Sequence, residues 1–196
     1  MRLWIAIKMT LVLTLLIGIV YPLAMAGLAH VFFPAQAEGS LLDKDGQSIG
    51  SALIGQNFSS PKYFQGRPSA AGDKGYDAAN SSGSNSGPTN KALIDNVKMR
   101  LKNFVESNPG TSPNTVPVDI VTTSGSGLDP EISPAAAELQ VTRVAHARGL
   151  SEDQVRGLVS ESTRQRWAGV LGEPGVNVLQ LNLALDRTTG GRADSR

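Results

Sequence analysis

The sequence predicts an α+β domain carried behind a single membrane-spanning helix. From Met9 to Phe33, twenty-five residues pass without an Asp, Glu, Lys or Arg. Downstream, apolar residues recur at the three- and four-residue spacing of helices in some stretches, while other stretches hold short β-branched runs or an Asp-Gly turn. The roughly 160 residues after the apolar run are the length of one domain rather than two.

The apolar run is long enough to cross a bilayer, for which about 20 residues suffice. Arg2 and Lys8 are the only charges before it. Positive charge on a short flank stays in the cytoplasm, so the expected order is residues 1–8 inside, 9–33 across the membrane and 34–187 outside, with a flexible tail over 188–196. The rival reading is a cleaved signal, for which Ala35-Gln36-Ala37 before Glu38 offers a small-x-small site. A signal's apolar core is only ~7–15 residues, and Pro22 suits a helix packed in a membrane bundle, so the length favours a retained anchor. Ala24, Ala26, Gly27 and Ala29 would let a second helix approach closely.

Past the anchor, Ser40 to Gly55 reads as a β-hairpin turning at Asp43-Lys44-Asp45-Gly46, with the second strand over Ile49–Ile54. The same acidic trio lacks the further ligands and closing glutamate of a calcium loop. Gln56 to Asn90 sets Phe58, Tyr63, Phe64 and Tyr76 among Pro, Gly, Ser and Asn. Aromatic rings have to bury somewhere, so a compact irregular segment pinned by Phe58, Tyr63 and Phe64 is expected, with a mobile polar loop near Asn80–Gly87. From Asn90, Leu93, Ile94, Val97, Leu101, Phe104 and Val105 form the apolar face of a helix stopped by Asn108-Pro109-Gly110. Val116 to Thr122, rich in β-branched residues, reads as a strand. Ser133-Pro134 opens a helix that Gly149 closes, and Ser151 with Gln154 makes a capping box for another running to about Trp167. Val176 to Leu185 fits either a strand or a helix capped by Asn177.

The outer part carries 16 basic and 17 acidic residues once Arg2 and Lys8 are set aside, which leaves no excess charge to hold phosphates. The pair of helices from Ser133 to Trp167 superficially resembles a helix-turn-helix, with Arg156, Arg164 and Arg166 on its second member; the charge balance and expected topology favour two packed helices instead. The chain has no cysteine, hence neither disulfides nor thiolate chemistry. The outer domain's single histidine, His146, lies mid-helix between alanines, and no second histidine is there to share a metal. Neither Ser124-Gly125-Ser126-Gly127 nor Gly83-Ser84-Asn85-Ser86-Gly87 has nucleophile-elbow spacing, and no phosphate-loop or dinucleotide fingerprint occurs. Site chemistry alone therefore predicts an accessory or binding module, with no catalytic residue, no metal and no directly bound cofactor.

The sharpest local signal is Val118-Asp119-Ile120-Val121-Thr122-Thr123-Ser124-Gly125-Ser126-Gly127-Leu128-Asp129-Pro130, a strand leaving into a small-residue turn and then a capped helix. With Ile132 to Ala137 and Arg143-Val144-Ala145, it resembles the signature of the C subunit of Kdp-type potassium-transporting ATPases. Blocks at Leu53–Phe58, Tyr63–Ala70, Tyr76, Ser82–Asn85, Gly172–Pro174 and Val176–Asp186 resemble that family in the same order, from Lys8 to Asp186.

The resemblance implies a subunit of a bacterial inner-membrane complex, single-pass, with its main domain in the periplasm. Its implied partners are a channel-like potassium-translocating subunit, a P-type subunit that hydrolyses ATP and a small hydrophobic subunit, so that ATP and potassium are handled by the complex. The family is described as a catalytic chaperone raising ATP affinity, with Ser124, Gly125, Ser126 and Gly127 likened to a nucleotide-signature loop ending near Asp129. A domain outside the membrane cannot touch cytoplasmic ATP, so an allosteric or assembly role is expected instead. Candidate partner contacts are Phe58, Tyr63, Phe64, Arg67, Ser84 and Asn85. The competing class is a free-standing anchored envelope binding protein or serine hydrolase using Ser126 and His146.

Overall fold

A computed structural model describes residues 2–44 and 46–188, and the chain divides into two compact units, Met1–Ser51 and Ala52–Arg196. The first begins with α1, a continuous 31-residue helix over Arg2–Phe32 that buries none of its side chains. It is apolar and long enough to cross a membrane. One π-helical turn, Leu16–Val20, interrupts the α register just before Pro22. Pro22 has no N–H to give, and a local π register is one way a helix accommodates such a gap. After a single helical turn at Pro34–Ala37, strands β1 (Leu41–Lys44) and β2 (Gln47–Ser51) pair antiparallel. Lys44 faces Gln47, and Gly46 takes φ 78°, the positive value that such a turn demands. The second strand stops at Ser51, short of the expected Ile54, and residues 52–54 turn away.

The second unit mixes helices with a small sheet. Helix α2 (Lys91–Ser107) starts where Asn90 Oδ1 accepts the Ala92 and Leu93 N–H groups at 2.8 and 3.4 Å. Helix α3 (Pro134–Arg148) is capped by Ser133, whose Oγ accepts from Ala136 N at 3.1 Å, and ends at Gly149 with φ 66°. Helix α4 (Glu152–Glu161) opens with the full Ser151/Gln154 capping box. Strands β3 (Glu131–Ile132) and β4 (Thr163–Arg164) flank β5 (Gly175–Asn177), all antiparallel, and α5 (Val178–Thr188) leaves directly from β5. Phe64, Phe104, Ile120, Ile132, Val141, Val144, Val155, Val176, Leu181 and Leu185 make one core between these elements. Each large apolar side chain so buried contributes about 1.5–3 kcal/mol.

Two expectations are corrected, and one left open is resolved in favour of the helix that Asn177 caps through Gln180 N at 3.0 Å. Val118–Val121 is a helical turn, not a strand. Ile120 and Val121 are neighbours and both buried, whereas a strand would send them to opposite faces; the turn folds them inward together and leaves Val118 exposed. The helix expected to reach Trp167 ends at Glu161, because Thr163 and Arg164 give their backbone to the sheet against Val176 and Gly175. The ambiguous segment from Val176 is strand for Gly175–Asn177 only and helix thereafter, since Val178, Leu179, Leu181, Asn182 and Leu185 bury at helical spacing. Thr188 closes that helix, and residues 189–196 of the expected tail lie outside the described residues.

Candidate functional site

The aromatic segment makes no strand ladder, yet it runs against the core, so its backbone groups need partners from elsewhere. Side chains of α3 and α5 supply them. Phe64 N donates to Asn182 Oδ1 at 2.9 Å, and Asn182 Nδ2 returns a bond to Phe64 O at 3.0 Å. Gln140 does the same for Gln65, accepting at 2.8 Å and donating at 3.2 Å. The two buried amides imitate a neighbouring strand. Arg143 adds bonds to the Pro61 and Tyr63 carbonyls at 2.7 and 3.0 Å, while its Nε reaches Asn108 Oδ1 at 2.9 Å. Arg148 Nε holds the Lys62 carbonyl at 2.6 Å, and its Nη2 pairs with Asp186 at 2.9 Å.

This scaffolding fixes the expected contact residues. Phe64 is 0 % exposed and its ring belongs to the core. Tyr63 is half-buried, with its ring 4.7 Å from the Arg148 guanidinium carbon and 5.5 Å from the half-buried Phe58 ring, and its hydroxyl donates to Asp186 at 3.2 Å. Burial, then the Asp186 carboxylate, raise the Tyr63 phenol above its ordinary range, against a lowering by Arg148. Burial also pushes the Arg143 guanidinium down to about 10.

A second network joins residues 66–83 to the signature loop. Arg67 Nη1 pairs with Asp129 Oδ2 at 3.0 Å, although its buried Nε has no hydrogen-bond partner among the described residues. The Ser69 hydroxyl donates to the Gly127 carbonyl at 2.6 Å and accepts from Ala71 N and Tyr76 N at 3.1 and 2.8 Å, which uses its whole bonding capacity. Tyr76 sits at φ 58° and donates its hydroxyl to the Arg67 carbonyl at 2.7 Å. Gly55 and Gly66 lie against its ring and hydroxyl, where a side chain on Gly66 would meet the phenol oxygen at 2.7 Å. Burial, and secondarily Asp129, push the Tyr76 phenol up to about 12.

The Ser124–Gly127 loop faces inward through its carbonyls. The Ser126 carbonyl accepts from Ser82 N at 2.9 Å and Ser81 Oγ at 3.0 Å, and Gly83 packs on Gly125 so closely that a side chain there would meet the Gly125 oxygen at 2.8 Å. Ser124 is buried, Gly125 and Ser126 are exposed, and Gly127 holds φ 67°. The Ser126 hydroxyl accepts from Leu128 N at 3.1 Å, and Asp129 Oδ1 accepts from Glu131 N at 3.0 Å. The loop expected to be mobile is therefore fastened as far as Gly83; Ser84 and Asn85 are exposed beyond it. His146 is exposed on α3, and among the described residues no hydrogen bond joins it to Ser126. Among the described residues no three His, Cys, Asp or Glu side chains group where a metal could bind. A cleft of about 360 Å³ beside α2 is lined by Gln56, Arg67, Tyr76, Arg100, Asn103 and Ser107 among others, and the signature loop is not part of its wall.

A family model described as K+-transporting ATPase, c chain, matches residues 3–187. The chain belongs to the KdpC family. A potassium-transporting ATPase KdpC subunit from Rhodopseudomonas palustris (strain BisB5) is 60 % identical over 195 residues, covering 94 % of this chain and 96 % of the relative. Those of Bradyrhizobium diazoefficiens and Polaromonas naphthalenivorans are 56 % and 55 % identical, with 93 % and 92 % of this chain covered and 94 % and 92 % of theirs. Within this KdpC chain, the residues that the sequence reading missed are Gln140, Asn182 and Arg148. Their signal was a polar side chain at a position where the helix spacing calls for an apolar one, as with Asn182 between Leu181 and Leu185. Also missed was the place of Trp167, which pairs with Leu171 across an exposed turn instead of ending a helix.

Proposed function

We propose that this chain is an accessory, non-catalytic subunit of a P-type potassium-transporting ATPase, anchored by α1 with its N-terminus inside and its α+β domain outside the cytoplasm. It assembles with a channel-like potassium-translocating subunit, an ATP-hydrolysing subunit and a small hydrophobic subunit, and it stabilises that assembly. Any influence on ATP affinity passes through those partners.

The observation that carries the non-catalytic reading is the commitment of the signature loop. The Ser126 and Gly127 carbonyls and the Ser126 hydroxyl are all engaged within the fold, so the loop works as a clasp for residues 69–83. A nucleophile needs a base within hydrogen-bond reach, and among the described residues no hydrogen bond joins His146 to Ser126. The test is co-purification in detergent together with Ser126→Ala and His146→Ala. Stoichiometric recovery with large membrane partners and largely intact potassium-driven ATP hydrolysis are expected. A chain that leaves the extract alone, or a loss of activity by orders of magnitude in an assembled complex, overturns the reading. A C-terminal reporter active only in the cytoplasm should stay silent, and activity there overturns the orientation.

A further inference from the structure

The cleft beside α2 mixes polar groups with ring surfaces. Arg100, Asn103 and Ser107 follow one another at three- and four-residue spacing, so a single face of the helix supplies its polar side. Phe58, Pro68 and Tyr76 line it from the aromatic segment. Its volume, about 360 Å³, falls at the small end of the ~300–1,000 Å³ typical of small-molecule pockets.

The charge inside the cleft is one-sided. Among the described residues no carboxylate lines it. Of its two arginines, Arg67 is matched by Asp129 at 3.0 Å. Arg100 has no such match: among the described residues its guanidinium meets only the Val121 carbonyl, at 3.2 Å. A guanidinium carries five N–H donors and a permanent charge, so most of that bonding capacity is unspent. Arg100 is half-buried, and burial, with no carboxylate to offset it, holds its guanidinium below the ordinary range. Gln65 and Asn103 line the same cleft. Their hydrogen bonds to Gln140 and Ser107 run through the backbone, which leaves both side-chain amides without partners among the described residues.

An unmatched, half-buried cation beside idle amides calls for an anion. A planar carboxylate fits the guanidinium fork, and one unmatched positive charge suits a monoanion better than a phosphate with nearly two negative charges. The rings of Phe58 and Tyr76 offer surface to an apolar body. We propose that this cleft binds a small carboxylic acid, with its carboxylate on Arg100 and the Gln65 and Asn103 amides, and its apolar body against Phe58 and Tyr76. The site lies within the second unit and does not rest on the subunit reading.

The test is equilibrium dialysis of labelled benzoate against the full chain in detergent, with protein-free micelles as the reference. Saturable binding at millimolar concentration is expected, the strength open to so small an acid. Benzamide, which has the same body without the charge, and inorganic phosphate should each bind about tenfold more weakly or worse. Arg100→Gln should weaken benzoate binding by about tenfold or more. That variant also gives up the Val121 carbonyl bond, so Asn103→Trp stands beside it. Asn103 is exposed, and a tryptophan there should plug the cleft while the melting temperature stays unchanged. No saturable binding to wild type, benzamide or phosphate binding as well as benzoate, or benzoate binding that survives in either variant while folded overturns the site.

Discussion

Tyr76→Phe isolates one oxygen atom in the clasp. The ring stays in its glycine cradle, but the 2.7 Å bond to the Arg67 carbonyl disappears. A net hydrogen bond is worth about 1 kcal/mol, and a carbonyl left partly buried without a partner raises the loss to about 1.5 kcal/mol. For a chain of this size that lowers the melting temperature by about 3–6 °C. Alkaline pH then gives the variant a second signature. The folded-state phenol titrates at about 12 against 10.0 when unperturbed. A raised value means that the folded state holds its proton more tightly, so the associated stability is complete below pH 10 and drains away as pH rises towards 12. Two pH units correspond to at most about 2.7 kcal/mol. Wild type should therefore lose more stability than the variant across that window, and the gap between them should close and then reverse. Melting of the full chain in detergent from pH 8 to 12 reads both effects, and alkaline damage common to the two proteins cancels in the difference. Equal melting temperatures at pH 8 refute the hydrogen bond, and parallel curves to pH 12 refute the tight proton.

Phe64→Ala empties a fully buried site and should cost about 3–5 kcal/mol, seen as a large fall in melting temperature of the chain itself; a stable variant that merely leaves the complex would return Phe64 to the partner surface. Asn182→Leu keeps the volume but strands both the N–H and the carbonyl of Phe64, for about 2–6 kcal/mol, and urea midpoints measure it. Gly127→Ala forces a side chain onto Ala71 N at 2.8 Å and against the Ser82 carbonyl, at φ 67°. Limited proteolysis should then cut between residues 70 and 85 far faster than in wild type, and an unchanged cleavage rate counts against the clasp.

Elements governed by local chemistry were legible in the sequence. Asn90, Ser133 and the Ser151/Gln154 pair announce the starts of α2, α3 and α4 because capping is decided within four residues. Where distant partners decide, local preference misleads. The β-branched run at Val118–Val121 forms a helical turn whose Asp119 accepts the Ser133 N–H at 2.7 Å, fourteen residues away. The blocks around Tyr63, Ser69, Tyr76 and Ser126 stood out as patterns, but their mutual contacts span up to 62 residues of chain, as between Arg67 and Asp129, and no periodicity reports that. Trp167 was hidden by the opposite failure: helical spacing continues past Glu161 on paper, while β5 captures Thr163 and Arg164 first.

The π turn at Leu16–Val20 changes how the anchor can be gripped. One residue too many in a single turn sets the side chains beyond it back by about 100° around the axis, relative to an uninterrupted α-helix. The stripe that Arg2–Leu15 offers on one flank continues from Tyr21 on a different flank. A neighbouring rod lying along the first half thus loses its track at Val20, and the small side chains of Ala24, Ala26 and Gly27 are dealt to another compass bearing. A single continuous helix can in this way offer its flanks to two neighbours in succession, one above the other.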